Sequence, residues 1–300
     1  MFTYAFTRSL LVSDEVKDKR LIFNFKRSIG GGKAKDGFED SLRYFHVAEY
    51  CVVSHDLILK YGSFLQRIVY LFYMLCTHIA IINNNDAIMS SLDKIAERFG
   101  IYYTGAADKA PIITNINHRH LFVRGYFADK NNFDSIRPIL LKEFTPIELP
   151  LLKNEAIYKA AAQPNSVCVS VRRGDYLSDI YKKDFFVCDE QYFNKAIKHI
   201  SEKIDNPVFI FFSNDITWVR DHLNVDHHPC YYESGDDPVW EVLRMMYSCH
   251  HFIISNSTFS WWAQYLGRRD DKIVISPSRW FANPLWSSNL IDEQFILIDS

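Results

Sequence analysis

The sequence predicts an α/β chain whose carboxyl-terminal half is a doubly wound parallel sheet with helices on both faces. Three observations carry this. Strand and helix patterns alternate from residue 167 to residue 277. The strands are nearly continuous apolar runs. Three polar clusters follow three of those strands directly. The composition, with 48% hydrophobic and 23% charged residues, is that of a globular chain. Its 300 residues suffice for one large domain or two ordinary ones.

In the first half, "RLIFNF" (20–25) has the content of a strand. "GGGKAKDG" (30–37) reads as a loop, since it lacks the spacing and the Ser/Thr of a P-loop. "FLQRIVYLFYMLCTHIAII" (64–82) is a helix interrupted by Gln66, Arg67 and His78, marginal in length for a bilayer core. It is expected to be buried or amphipathic, with a helix resting on a membrane surface as the alternative. The opening residues lack the pattern of a signal peptide. His46, His55, His118 and His120 are expected to be packing or surface histidines.

In the second half, "VCVSV" (167–171) is a Val-rich strand. From Asp189, a plausible N-cap, apolar residues recur at spacings of three and four through Tyr192, Phe193, Ala196, Ile197, Ile200 and Ile204, which predicts a helix. Pro207 punctuates the chain before an apolar strand at 208–212 and a short helix through Trp218 and Leu223. "CYY" (230–232) reads as a strand and 238–248 as a helix. A strand at 252–255 leads through a turn to a helix closed by Gly267 as C-cap. The double tryptophan 261–262 is expected to pack in the core, and a last strand at 272–277 stops at Pro277.

The clusters Arg172–Asp175, Ser213–Asp215 and Asn256–Ser260 each sit just beyond the carboxyl end of a strand, the edge where open α/β sheets bind ligands. Adjacent Arg172 and Arg173 offer planar forks that suit phosphate oxygens. "NSTFS" opens a helix, so its N–H groups and the hydroxyls of Ser257, Thr258 and Ser260 suit an anion. Asp215 can accept from ribose hydroxyls or from guanine. Together these describe a nucleoside-diphosphate site. Each alone has a plainer reading: Arg-Arg-x-Asp as a surface ion-pair cluster, "RGD" (173–175) and "NST" (256–258) as chance matches, "GDD" (235–237) as a turn and not a metal site.

Other classes are excluded on simple grounds. With 34 basic against 36 acidic side chains there is no basic field for nucleic acid. Six scattered cysteines without a CxxC pair suit reduced thiols in a cytoplasmic protein. The glycine fingerprint of dinucleotide binding is absent from the second half.

"VSVRRGDYL", "FVCDEQYFNKAIKHISEKIDNPVFIFFSNDITWVRDHL" and "ISNSTFSWWAQYLG…KIVISPSRWF" resemble the successive motifs of the bacterial α-1,2-fucosyltransferase family, glycosyltransferase family 11. "VRGYFADKNNFDSIRPILLKEFTP" (123–146) resembles the segment joining that family's halves. The likeness covers almost the whole chain, close from about 120 to 285 and loose between 13 and 118. It implies a GT-B-like arrangement of two Rossmann-like domains, an acceptor-side domain over 1–155 and a donor domain over 156–300. It implies inverting transfer of L-fucose from GDP-fucose to a galactose-containing glycan, in α-1,2 linkage, with no metal or other cofactor. The cytoplasm is the expected location, and the helix at 64–82 keeps a peripheral contact to the inner membrane as its alternative reading. By that likeness Arg172 grips the β-phosphate, and Arg173 and Asp175 complete the catalytic cluster. Asp215 faces the guanosine and Thr258, Phe259 and Ser260 line the pyrophosphate, with Ser213, Asn214, Asn256 and Ser257 also in the donor site. The alternatives are another GDP-sugar, another linkage, or an inactive GDP-sugar binder.

The chain departs from the family pattern twice. Ser170 stands where the first motif has histidine, which leaves the base unassigned, since serine alone is a poor one. "MFTYAFTRSLL" resembles the middle of the opening motif, in which a strand and a Gly-Leu-Gly-Asn-Gln turn come before the methionine. Without that strand a sheet edge is expected to be open.

Overall fold

The computed structural model describes residues 1–12, 19–24, 40–82, 86–103 and 118–299, and of 78–82 and 86–90 the backbone only. The loop expected at 30–37 lies outside the described residues. The chain forms two compact units, Met1–Leu42 with Val47–Arg137, and Arg43–His46 with Pro138–Ser300.

The first unit opens with α1 (Phe2–Val12), which buries Phe2, Tyr4, Ala5 and Phe6 and stacks Phe6 on Phe127 at 4.3 Å. Two parallel pairs follow, β1 (Leu21–Phe23) with β2 (Tyr50–Val52) and β3 (Ile101–Tyr103) with β4 (Phe122–Arg124). Between β2 and β3 come α2 (Leu57–Tyr61), α3 (Phe64–Ile82) and α4 (Asp86–Glu97). Asp56 caps α2 by accepting from the N–H groups of Ile58 and Leu59. Ile58, Tyr70, Tyr73, Leu92 and Phe122 form the local core. Among the described residues β1 and β4 each pair with one strand only, and both line a cavity of about 610 Å³. The helix expected at 64–82 is α3. Among the described residues no helix is long and apolar enough to cross a membrane.

The second unit is mixed α/β around a six-stranded parallel sheet. Its chain order is α5 (Arg137–Glu143), α6 (Glu155–Ala161), β5 (Ser166–Val171), α7 (Lys182–Phe185), α8 (Glu190–Ser201), β6 (Val208–Ser213), α9 (Ile216–His222) and β7 (Cys230–Tyr232). Then come α10 (Val239–Ser248), β8 (His251–Ile253), α11 (Thr258–Leu266), β9 (Val274–Pro277) and β10 (Ile296–Ile298). Residues 43–46 join this unit through an antiparallel bridge between Phe45 and Pro146. The strands lie in the order β7-β6-β5-β8-β9-β10, all parallel. This is the strand order of the doubly wound dinucleotide fold. Central β5 is buried along its whole length, which is why it reads as a continuous apolar run.

The predicted signals act as expected at α8. Asp189 accepts from the Tyr192 N–H at 2.9 Å, and Tyr192, Phe193, Ala196, Ile197 and Ile200 are the buried face. Both tryptophans of α11 are buried, and Trp261 donates its indole N–H to the Leu290 carbonyl at 2.9 Å. All six cysteines are free thiols. The sequence reading missed β10, a half-buried three-residue edge strand too short to show a period.

Gly267 caps α11 for a different reason from the one expected. Its φ of −58° and ψ of 128° are open to any residue, so left-handed freedom is not needed. Space is what requires it, because a Cβ would meet the Phe252 ring at 2.7 Å and that ring is fully buried. Gly267→Ala is therefore expected to cost about 1–3 kcal/mol through overpacking, read as a lower melting temperature without loss of fold.

Candidate active site

The topology selects one place in the second unit. From β5 the chain builds outward to β6 and β7, then returns to β8 on the other side of β5. A sheet that reverses in this way leaves a crevice beyond the carboxyl ends of its two central strands, where ligands bind. Arg172 and Arg173 follow β5, Ser255–Ser257 follow β8, and Asn214 and Asp215 follow neighbouring β6. The three predicted clusters thus share one sheet edge.

Contacts join them. The Arg173 N–H donates to Asn214 Oδ1 at 3.1 Å, and its guanidinium Nε to Asp215 Oδ2 at 3.3 Å. Asp215 also caps α9, accepting from the Trp218 N–H at 3.2 Å through its other oxygen. The Arg173 guanidinium lies 3.7 Å from the Trp218 ring centroid, close enough for cation–π attraction. Only 14% of its side chain is exposed. Arg172 differs: its side chain is 40% exposed and donates to Asp175 at 2.8 Å, itself 48% exposed. One arginine is locked into the frame; the other is presented at the edge.

The serine and asparagine residues divide in the same way. Ser170 Oγ lies 2.6 Å from Ser260 Oγ, which is 3.1 Å from Ser255 Oγ. This hydroxyl chain ties the ends of β5 and β8 to the first turn of α11. Asn256 donates to the Phe185 and Trp280 carbonyls, both at 2.8 Å, and Ser213 Oγ accepts from the Asp215 N–H at 3.0 Å. Ser170, Ser213, Asn256 and Ser260 therefore hold the loops. Ser257 sits at the N-cap of α11 without a side-chain capping bond, Thr258 is exposed and Phe259 half-buried. The start of this helix supplies N–H groups suited to an anion.

Gly174 shows how tightly the first loop is set. A Cβ there would come within 2.0 Å of Asn214 Nδ2, and Asn214 is held by Arg173. Gly174→Ala should displace Asn214, losing a hydrogen bond worth about 1 kcal/mol. The expected result is about a fivefold fall in affinity for GDP with a melting temperature lowered by only a few degrees, measured by titration and thermal unfolding.

Nearby groups narrow the chemistry. Burial pushes the Cys188 thiol up to about 12, outweighing its bond to Asn256, which keeps this side chain a neutral thiol. The turn expected at 235–237 is a bend in the chain at 235 and 237, with Gly235 at φ 88°. Glu233, Asp236 and Asp237 converge there, and Lys153 meets Asp237 at 3.0 Å and Asp236 at 3.2 Å. Reading the sequence missed Trp218 and Tyr176. Trp218 carried a signal, three residues beyond a capping aspartate. The Tyr176 hydroxyl donates to the Asn256 carbonyl at 3.2 Å, a contact no spacing rule announces.

A family model described as glycosyl transferase family 11 matches residues 101–295. Among curated proteins the chain is similar to the O-antigen biosynthesis glycosyltransferase WbnK of Escherichia coli, 34% identical over 169 residues, 52% of this chain and 54% of that protein. It is similar to an α-1,2-colitosyltransferase of Escherichia coli, 33% identical over 52% of this chain and 55% of that one. It also resembles galactoside α-(1,2)-fucosyltransferase 2 of Rattus norvegicus, 29% identical over 51% and 47%. The chain spans about half the length of the curated relatives it matches. No solved structure matches.

Proposed function

The chain belongs to glycosyl transferase family 11, and from that premise we propose that it transfers L-fucose from GDP-fucose to a galactoside hydroxyl, forming an α-1,2 linkage with inversion. The observation that carries this reading is the juxtaposition at the switch point of an exposed, forked Arg172 and the uncapped start of α11. In this reading the diphosphate lies between them. Arg172 binds it bidentately, and the N–H groups of Thr258 and Phe259 face its other oxygens. Asp215 keeps lone pairs for ribose or guanine while it fixes Arg173, and Asp175 orients Arg172. The division of labour is GT-B-like, donor on the second unit and acceptor on the first.

The reaction breaks the bond between the sugar C1 and the phosphate oxygen and forms one from the acceptor oxygen to C1, with the acceptor proton released. Fixed positive charge on the departing GDP stabilises the transition state, most strongly where water is excluded. The role requires no metal. Ser170 is not the base, because its hydroxyl is buried against Ser260. An oxocarbenium-like transition state, of the kind glycosidases pass through, lowers the demand for one because C1 is already electron-poor when the acceptor oxygen arrives.

A relative named for colitosyl transfer supports a second reading, transfer of another deoxy sugar from its nucleotide form. GDP release and product mass, measured with GDP-fucose, GDP-mannose and simple β-galactosides, separate the two. A mass gain of one deoxyhexose from GDP-fucose, undiminished by a chelator, is the expected result. The assay is run on this chain and on one extended upstream, because among the described residues β1 and β4, which line the cavity, each pair with one strand only. GDP binding without turnover in either form, with any acceptor, would leave an inactive binder.

A further inference from the structure

Helix α3 is amphipathic the wrong way round for a water-facing helix. Its inward face carries Gln66, Tyr70, Tyr73 and Thr77, all buried. Those groups have partners. Gln66 donates to the Phe99 carbonyl at 2.8 Å, Tyr70 to Asp56 at 2.8 Å, and Tyr73 to Asp93 at 2.6 Å. Its outward face is Phe64, Leu65, Ile68, Leu71, Phe72 and Leu75, between 45% and 80% exposed. At about 100° per residue these six positions fall within roughly a third of the helix circumference, opposite the buried face. Single exposed apolar residues need no explanation, but a continuous ridge does.

The charges beside the ridge identify its occupant. From Leu57 to Ile82 there is no acidic residue, and the charged side chains are Lys60 and Arg67, both exposed. Arg67 donates to the Gly62 and Lys60 carbonyls, which fastens the end of α2 to the first turns of α3. Leu59 of α2 is exposed beside Lys60. The whole chain has a net charge of −2, so this cationic flank is local. A protein partner would call for a rim of mixed polarity. A ridge of large apolar side chains, with Lys60 and Arg67 the charged side chains of α2 and α3, matches the boundary between headgroups and acyl chains. We propose that α3 lies on an anionic phospholipid surface, apolar ridge inward, with Lys60 and Arg67 at the headgroups. The helix lies on the bilayer and does not cross it.

The test uses the full chain and sedimentation with vesicles of phosphatidylcholine containing about one third phosphatidylglycerol, against phosphatidylcholine alone. Binding to the anionic vesicles is expected, falling as salt rises. Leu71→Glu with Phe72→Glu should weaken it more than tenfold, since two large apolar groups leave the membrane and two charges enter. Lys60→Glu should weaken it about fivefold or more. All three positions are exposed, so an unchanged melting temperature and an unchanged response to GDP are the folding controls. Absence of binding to anionic vesicles would overturn the proposal, as would binding by the double variant equal to that of the parent. Sedimentation velocity can overturn it in a third way: a parent dimer that the double variant dissociates would assign the ridge to a second copy of this chain.

Discussion

Replacing Arg172 by alanine is expected to reduce transfer by about 10²–10³-fold, the usual cost of removing one preorganised group that meets developing charge, while leaving the melting temperature essentially unchanged. The second half of that expectation follows from geometry. The Arg172–Asp175 pair is largely exposed on both sides, and exposed pairs contribute little to stability. Arg172→Lys keeps the charge but loses the fork, so it should recover part of the rate and little of the donor affinity. Arg173 is the less clean probe. Its loss would unstack Trp218 and strip Asp215 of a partner, so falling activity would mix chemistry with a displaced loop. Full transfer by the Arg172→Ala enzyme would remove the diphosphate role assigned to that residue.

Acidification from pH 6.5 to 4 is expected to cost the second unit about 3 kcal/mol through His251 alone. Burial is the main cause that lowers its pKa from 6.5 to about 4, with neighbouring His250 second; the Pro164 carbonyl and Asp271 oppose them. The hydrogen bonds agree with a neutral ring. His251 Nδ1 accepts from the Ile273 N–H at 3.0 Å, and Nε2 donates to the Pro164 carbonyl at 3.2 Å. Protonation would abolish the first bond. The folded pKa is below the unfolded value, so between those pH values the unfolded chain binds more protons. The stabilisation is therefore present above pH 6.5 and lost as pH falls toward 4. The span from 6.5 to about 4, at ~1.4 kcal/mol per pH unit, sets the magnitude. Denaturant unfolding at pH 7 and pH 4.5 checks this in the parent and in His251→Gln. The variant should start less stable and lose less on acidification. Parallel losses in both proteins would mean that other groups carry the acid response.

Some of the architecture was legible because local rules and tertiary demands coincide. Asp189 looks like a cap and is one, since an orphan N–H at a helix start can be met by the nearest short polar side chain. The strands at 167–171 and 208–212 look buried and are, since both faces of a parallel sheet are covered. Gly267 was found for the wrong reason: its position is a cap, but what excludes a side chain is Phe252, which is distant in sequence. Two further features were beyond reach of any spacing rule. β10 is too short for a pattern and exists by pairing with β9. The outward apolar face of α3 shows in the sequence only as a hydrophobic helix, because periodicity does not say which side meets the core.

By itself the sequence determined the alternation of the main strands and helices from β5 to β9, the placement of polar residues after apolar strands, and the cationic, carboxylate and hydroxyl chemistry of the three clusters. These are properties of short segments, set by backbone propensity and side-chain type. Only the tertiary structure decided that β8 returns beside β5 and makes the crevice, that Arg173 is locked on Trp218 and Asp215 while Arg172 stays open, and that Ser170 and Ser260 satisfy each other. Those outcomes depend on which strands become neighbours, and burial then requires every polar group between them to find a partner.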